Sequence, residues 1–218
     1  MSSSNFRLPL SASSRGFTLV ELLAVIFIII LISAFVTPAA TNLLKGNKLT
    51  QASQMVSDRL GFARQTALTR NRRVEVRFYQ YGDTDVPGES ATNPTSGKYR
   101  AIQLFEIPDT GSPVPLGKSQ SLPNGIIMDS GATLSSLLST VVSGASLKVS
   151  IPRAGTNYNA VVFRFLADGS TSLAASGSWF LTFHNLNDGD ALKTPPPNFF
   201  TLQIEPLNGH VKNFRPGK

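Results

Sequence analysis

One uninterrupted apolar stretch constrains this chain more than any other feature. Residues 16–38 read GFTLVELLAVIFIIILISAFVTP. About 20 apolar residues are enough for a helix to cross the hydrocarbon core of a bilayer. Residues 22–32 contain no polar side chain, which excludes a one-sided amphipathic helix there. The sequence therefore predicts a membrane-spanning helix over residues 17–38.

Glu21 is the one charged residue of this stretch. A carboxylate inside a spanning segment is costly and usually has a partner. From its position alone, Glu21 either has such a partner or lies at the headgroup level, where water solvates it. An ordinary secretory signal peptide explains neither the glutamate nor the length of the run, because its apolar region is about 7–15 residues long.

The order of four residues makes this N-terminus resemble that of type IV prepilins and type II secretion pseudopilins: Gly16, Phe17, Glu21 and Pro38. The resemblance implies that a prepilin peptidase cleaves after Gly16 and N-methylates Phe17. It gives Glu21 a partner, the free ammonium of Phe17 on a neighbouring subunit, in an assembly salt bridge. It also makes Pro38 the position of a helix bend.

The apolar stretch continues into an amphipathic helix predicted over residues 39–70. Apolar residues recur here at spacings of three and four and form a single stripe, which is typical of a helix packed on a sheet. The stripe consists of Leu49, Ala52, Val56, Leu60, Ala63 and Ala67. With the leader at residues 1–16 and the spanning half at residues 17–38, this leaves residues 71–218 for a β-rich domain. A chain of this length does not need disulfides to stabilise its core, and it contains no cysteine.

The hydrophobic period changes to two at residue 74. Val74, Val76 and Phe78 alternate with polar neighbours, which predicts a half-buried strand. Further strands are predicted at residues 100–107, 125–128, 147–151, 161–166, 179–184, 199–205 and 211–214. A helix followed by strands predicts an α+β, pilin-like fold with a mainly antiparallel sheet on the amphipathic half of the first helix.

Turn residues separate these strands. Asp168-Gly169 and Asn208-Gly209 both predict hairpins. Two stretches rich in turn-forming residues, 82–97 and 109–124, predict surface excursions, and residues 131–145 predict a short helix.

The C-terminal half resembles the GspH/FimT group of minor pseudopilins and minor pilins. The resemblance rests on FRFLADGS at residues 163–170 and TLQIEPLNGHV at residues 201–211. A weaker resemblance, from the run at residues 64–80, is to the Verru_Chthon cassette D-type prepilin proteins. These resemblances imply a minor subunit of a type II secretion pseudopilus or a type IV pilus.

No residue constellation predicts an enzyme or a cofactor. The run GSPVPLGKS at residues 111–119 has the wrong spacing for a phosphate-binding loop, and no helix pattern follows it. The oxygens of residues 185–190 do not complete a calcium loop, although a calcium site in this loop stays open. His184 and His210 have no nucleophile and acid in a recognisable order, so a structural role is predicted for a histidine in a strand.

Basic residues leave one further alternative open. The chain has 20 Lys and Arg against 13 Asp and Glu, a formal net charge of +7. Six arginines crowd the exit from the helix: Arg59, Arg64, Arg70, Arg72, Arg73 and Arg77. Lys212, Arg215 and Lys218 end the chain and are candidate DNA contacts, because basic patches bind phosphate backbones. These charges otherwise face solvent, anionic lipid or neighbouring subunits.

The partners implied by the family resemblance are the prepilin peptidase, other pilin or pseudopilin subunits and inner-membrane lipid. The implied localisation is the bacterial inner membrane, with a single span and the C-terminal domain in the periplasm, followed by assembly into a pilus or pseudopilus. The alternatives are a DNA-binding minor pilin and a membrane-anchored binding protein that never polymerises.

Overall fold

The computed structural model of the chain describes residues 16–140 and 148–216, without the side chains of residues 34–45 and 140. The chain divides into two compact units, Met1–Leu43 and Leu44–Lys218. Most of the predicted leader, residues 1–15, and the terminal Lys218 lie outside the described residues.

Helix α1 runs from Leu19 to Arg70. In the first unit its described side chains are apolar on every face, and the large ones from Phe17 to Ile32 are each between 45% and 80% exposed. Within the part of the chain that the structure describes, no helix has the length and apolar character that crossing a membrane requires. Pro38 lies within the helical bounds, but its side chain is outside the described set, so the predicted bend stays a prediction.

In the second unit, α1 packs on the sheet through the predicted stripe. All six stripe residues, from Leu49 to Ala67, are at most 1% exposed and belong to one large apolar core. Strand residues such as Val76, Phe163 and Leu181 supply the other side of this core. The prediction of an amphipathic helix on a sheet is therefore confirmed.

In the described part of the second unit, nine strands form one antiparallel sheet. Its main path runs in the order β6-β1-β2-β5-β7-β8-β9, and β3 and β4 pair with β2. The strands are β1 Arg73–Tyr81, β2 Lys98–Ile107, β3 Val114–Pro115, β4 Gln120–Ser121, β5 Ile126–Met128, β6 Asn159–Phe165, β7 Trp179–Asn185, β8 Phe199–Ile204 and β9 Val211–Phe214. The predicted α+β fold is confirmed.

The strand predicted at residues 147–151 is wrong for its described part, residues 148–151. Ile151 forms only an isolated bridge with Gly155, through reciprocal backbone hydrogen bonds of 2.9 and 3.0 Å. Arg153, between them, has a left-handed φ of 68°, which turns the chain back on itself. An extended strand cannot contain that conformation.

Both predicted turns are present, but only one of them joins two paired strands. Asn208-Gly209 joins β8 to β9, and the pairing of these two strands begins with Ile204 opposite Val211. Asp168-Gly169 follows β6, but the returning chain makes only one bridge, between Phe165 and Thr171. The short helix predicted within residues 131–145 is α2, Ser136–Thr140.

Strand β1 is not half-buried as predicted, because both of its faces are covered. Glu75 and Arg77 are fully buried on the face opposite α1. The Arg77 guanidinium contacts the Glu75 carboxylate at 2.7 Å and lies 3.8 Å over the ring of Phe105. Arg164 contacts the other carboxylate oxygen of Glu75 at 2.9 Å. Ion pairing and ring stacking explain how these charges lie inside the protein.

A smaller apolar cluster covers the other end of the same face. It consists of buried residues from β1, β2, β6 and the 151–158 segment: Tyr79, Tyr81, Ala101, Ile151, Tyr158 and Ala160. The ring of Tyr158 meets that of Tyr79 edge to face at 4.7 Å between centroids. The sheet of the second unit therefore has a core on each side at β1.

Candidate functional site: the N-terminal processing motif

The junction between Gly16 and Phe17 lies just before α1. Residues 16–18 have no regular secondary structure, and Phe17 is 80% exposed. A Cβ atom built on Gly16 would meet no atom within 4 Å. Packing within the described residues therefore does not require glycine at this position.

Thr18 and Glu21 form a capping box at the start of α1. The Thr18 hydroxyl accepts a hydrogen bond from the Glu21 amide at 3.2 Å. In return, one Glu21 carboxylate oxygen accepts from the Thr18 amide at 3.1 Å and from its hydroxyl at 3.0 Å. This reciprocal pattern satisfies amide groups that a helix start otherwise leaves unpaired. Glu21 therefore has a role within its own chain before it meets any other subunit.

Most of the arginines at the helix exit contact groups of the same chain. Arg70 and Arg72 both approach the Glu106 carboxylate, at 2.5 and 3.6 Å. Arg64 donates to the Asn208 carbonyl at 2.7 Å. Arg77 is buried against Glu75, so this arginine does not face solvent or lipid as expected from the sequence.

The candidate DNA contacts lie on and after the edge strand β9. Lys212 is exposed on this strand. Arg215 is also exposed, and its guanidinium donates to the Thr50 hydroxyl on α1 at 2.8 Å. The structure thus places Lys212 on β9 and Arg215 just after it, while Lys218 lies outside the described residues.

The N-terminal sequence matches a known protein family. Residues 11–37 match the family described as Prokaryotic N-terminal methylation motif, which covers the apolar run, the Gly16–Phe17 junction and Glu21. The chain carries a prepilin-type N-terminus. The prediction made from Gly16, Phe17 and Glu21 is thereby confirmed at the level of the motif.

Two kinds of solved structure are similar to this chain. Two structures of the minor pseudopilin EpsH from the type II secretion system of Vibrio cholerae match with TM-scores of 0.43 and 0.44 and identities of 12% and 13%. They cover 78% and 79% of this chain and 99% and 97% of theirs. The type IV minor pilin FimU of Pseudomonas aeruginosa matches with a TM-score of 0.42 and 12% identity, over 79% of this chain and 95% of its own. No curated protein matches the sequence.

His184, which sequence reasoning treated as a structural strand residue, belongs to a buried ion pair. Its Nε2 lies 3.0 Å from the Asp129 carboxylate, and its Nδ1 donates to the Asn185 carbonyl at 3.0 Å. Both side chains are fully buried. Because both side chains are buried, their contact connects β7 to the residue that follows β5. Asp129 was not singled out from the sequence, since it lies 55 positions away from its partner.

Hydrogen bonding sets the charge of this pair. Burial alone acts to lower the pKa of His184, but the bonds to Asp129 and to the Asn185 carbonyl outweigh it and raise that pKa. Burial alone acts to raise the pKa of Asp129, but the bonds from His184, Leu192 and Gly131 outweigh it and lower that pKa. Both shifts favour the charged forms, an imidazolium facing a carboxylate.

The loop oxygens considered for calcium make hydrogen bonds within the chain. The Asp190 carboxylate accepts from the Ser130 amide at 2.8 Å and contacts Lys98 at 3.3 Å. The Asn185 side chain accepts from the Asn187 amide at 3.0 Å. Among the described residues, no group of three or more metal-ligating side chains comes together.

Proposed function

We propose that this chain is a minor pilin or pseudopilin subunit, cleaved after Gly16 by a prepilin peptidase and assembled into a type II secretion pseudopilus or a type IV pilus. One observation carries the proposal. An exposed, irregular Gly16–Phe17 junction directly precedes a capped, apolar helix with a single acid, Glu21, and the match to the methylation motif covers all of these residues.

Cleavage at this junction makes Phe17 the first residue and exposes its ammonium group, which the same peptidase methylates. In an apolar surrounding, opposite charges attract far more strongly than in water. The Glu21 carboxylate then pairs with the Phe17 ammonium of the neighbouring subunit, and this contact selects the register of assembly. The helix start is preorganised for this pairing because Thr18 already orients the carboxylate.

The subunit is held in the inner membrane before assembly, with its second unit in the periplasm. The exposed apolar side chains from Phe17 to Ile32 support this, since such a surface requires lipid or packed helices around it. The minor role is supported by the resemblance of the C-terminal half to GspH/FimT proteins. The turns at Asp168-Gly169 and Asn208-Gly209 are the structural elements that this resemblance involves.

The test is the mass of the N-terminal peptide of protein purified from membranes of its own host. A chain that begins with methylated Phe17 is the expected result. A chain that begins at Met1 would instead indicate a permanent anchor that never polymerises. A chain that begins near Ala39 would indicate a secreted domain, and either of these results would overturn the proposal.

A matched pair of variants tests the enzyme's requirement for glycine. Gly16→Ala adds a methyl group that meets no atom of the described residues within 4 Å, so folding should be unchanged while cleavage is lost. Gly61→Ala, on an exposed part of α1 where a Cβ also meets nothing within 4 Å, is the control and should be cleaved normally.

A second candidate function is DNA capture by the basic C-terminal region. The observation that favours it is the exposure of Lys212 on β9 and of Arg215 just after this strand. Charge reversal at Lys212, Arg215 and Lys218 should abolish a salt-dependent shift of DNA in a gel. If DNA binding survives the triple reversal, this region is not the site.

A further inference from the structure

The sequence contains four steps at which asparagine or aspartate directly precedes glycine. At such a step the amide nitrogen of the glycine can attack the side-chain carbonyl of the preceding residue, because glycine has no side chain to hinder the approach. A glycine amide that already donates a hydrogen bond reacts more slowly, since that bond must first break. The four steps are Asn124-Gly125, Asp168-Gly169, Asp188-Gly189 and Asn208-Gly209.

Three of these four glycine amides are held by backbone hydrogen bonds. Each donates to the carbonyl of a residue three or four positions earlier: Gly169 to Leu166 at 2.9 Å, Gly189 to Leu186 at 3.1 Å and Gly209 to Glu205 at 2.8 Å. Asn208 is held further, because its side-chain oxygen accepts from the His210 amide at 2.8 Å and its own carbonyl accepts from Arg64 at 2.7 Å. The fold therefore protects these three steps.

The fourth step, Asn124-Gly125, is open. Both residues are exposed. Among the residues that the structure describes, neither the Gly125 amide nor the Asn124 side chain has a hydrogen-bond partner. The groups around them are held, since the Ile126 amide donates to the Pro123 carbonyl at 3.1 Å and the Leu186 amide donates to the Gly125 carbonyl at 2.8 Å. The nucleophile and the carbon that it attacks are thus free within a folded turn.

The surroundings of this turn also favour the reaction. Asn124 and Gly125 line a cavity of about 280 Å³ that is open to water, the second reactant. A Cβ atom built on Gly125 would meet no described atom within 4 Å, so there is space beside the turn for the side chain of Asn124 to rotate. The ammonium of Lys48 donates to the Asn124 carbonyl at 3.4 Å. A cation at this distance favours the negative charge that the reaction creates.

We propose that Asn124 is a site of spontaneous deamidation in the folded protein. The Gly125 nitrogen forms a bond to Cγ of Asn124, and the bond from Cγ to the side-chain nitrogen breaks. Ammonia leaves and takes with it the proton of the Gly125 amide. Water then opens the cyclic succinimide at either of its carbonyls, which gives aspartate or isoaspartate. A neutral side chain beside Lys48 thereby becomes a carboxylate.

The isoaspartate product affects the fold as well as the charge. Its main chain runs through Cβ, so the turn becomes longer by a methylene group directly before β5. Ile126, the first residue of β5, is buried and pairs with Asn185 of β7. We expect the longer turn to weaken this pairing and to lower the melting temperature as isoaspartate accumulates. The inference concerns the second unit alone and does not depend on the proposed assembly.

The test compares the two asparagines that precede glycine within one molecule. Full-length protein in detergent is incubated at mildly alkaline pH and digested, and the amounts of aspartate and isoaspartate at both positions are followed by mass spectrometry. In the folded protein, we expect deamidation at Asn124 to be about tenfold or more faster than at Asn208, where hydrogen bonds must break first. In urea those bonds are absent, so the two rates should become similar.

A conservative variant ties the signal to the cyclic intermediate. Asn124→Gln keeps an amide at this exposed position, but its longer side chain would have to close a larger and less favourable ring. It should remove the signal at this position and leave the rate at Asn208 unchanged. Equal rates at Asn124 and Asn208 in the folded protein, or a rate at Asn124 that folding suppresses as strongly as the rate at Asn208, would overturn the proposal.

Discussion

At the scale of single residues, Thr18 deserves a direct test because it holds Glu21 in place. Thr18→Ala removes the hydroxyl that accepts from the Glu21 amide and donates to its carboxylate. Loss of an N-cap costs about 0.5–2 kcal/mol of helix stability. We expect faster hydrogen exchange at the amides of Leu19 to Glu21 in the full-length protein in detergent. Thr18→Ser keeps the hydroxyl, so the exchange rates of these amides should match those of the native protein. Exchange rates in Thr18→Ala equal to those of the native protein would contradict the capping role.

Glu75 offers a second test at this scale, because it is buried between two arginines. Glu75→Gln leaves Arg77 buried without its counter-charge, which typically costs about 3–5 kcal/mol. The free energy of unfolding is measured in denaturant through the fluorescence of Trp179, the single tryptophan. The control is Glu106→Gln.

Glu106 also faces two arginines, but these are 57% and 40% exposed. Glu106→Gln should therefore lower the free energy of unfolding by less than about 1 kcal/mol. Similar decreases in the free energy of unfolding for Glu75→Gln and Glu106→Gln would show that burial does not strengthen the ion pairs of Glu75.

At the scale of elements, the His184–Asp129 pair links β5 and β7 and makes their stability depend on pH. The pKa of His184 is raised above its ordinary value of 6.5, so its stabilising contribution is complete below pH 6.5 and is lost as pH rises through the raised pKa. The pKa of Asp129 is lowered from 3.8, so its contribution is complete above pH 3.8 and is lost as pH falls through the lowered pKa. We expect the melting temperature to decrease from pH 6 towards pH 9.

The control for this pH dependence is a pair of single variants. His184→Gln should remove most of the decrease, because it cannot become charged. His210→Gln, on the exposed β8–β9 turn, should preserve it. If both variants keep the native profile, another group causes the pH dependence.

The elements also show where sequence patterns are sufficient. The stripe from Leu49 to Ala67 is predictable because its members are neighbours on one helix, and helical spacing follows from backbone geometry alone. The turn at Asn208-Gly209 is predictable because only a few residue types adopt its conformation; Gly209 has a φ of 65°. Strands β3 and β4 were not predicted, since two residues are too few to show a period.

Buried polar groups were the largest error, and the reason is distance along the chain. The pattern around Glu75 and Arg77 predicts an exposed face, because alternating charges usually face water. The residues that bury them are distant in sequence, since Phe105 lies 28 positions after Arg77 and Arg164 lies 89 positions after Glu75. The N-terminal motif is the opposite case, because Thr18 and Glu21 are three positions apart and a capping box is a local pattern.

At the scale of the whole molecule, the two units differ in how their apolar side chains are covered. The second unit, residues 44–218, buries its own apolar residues in a core on each side of the sheet. The described part of the first unit exposes apolar side chains on every face. The exposed apolar side chains of the first unit are those that lipid or packed helices would cover in the proposed assembly, whereas the second unit buries its own.

The proposed role of the Glu21 charge in assembly can be tested separately from the capping role of the same residue. Glu21→Gln keeps an oxygen that can accept from the Thr18 amide, so the helix start is preserved while the negative charge is lost. We expect the variant to be cleaved after Gly16 but not incorporated into filaments, because no carboxylate is available for the Phe17 ammonium. Cleavage is read from the N-terminal mass, and incorporation from the amount of the chain in sheared filaments. Asp58→Asn, which removes an exposed acid from the second unit's part of α1, is the control and should assemble normally. Normal assembly of Glu21→Gln would mean that capping, rather than charge pairing between subunits, is the main role of Glu21.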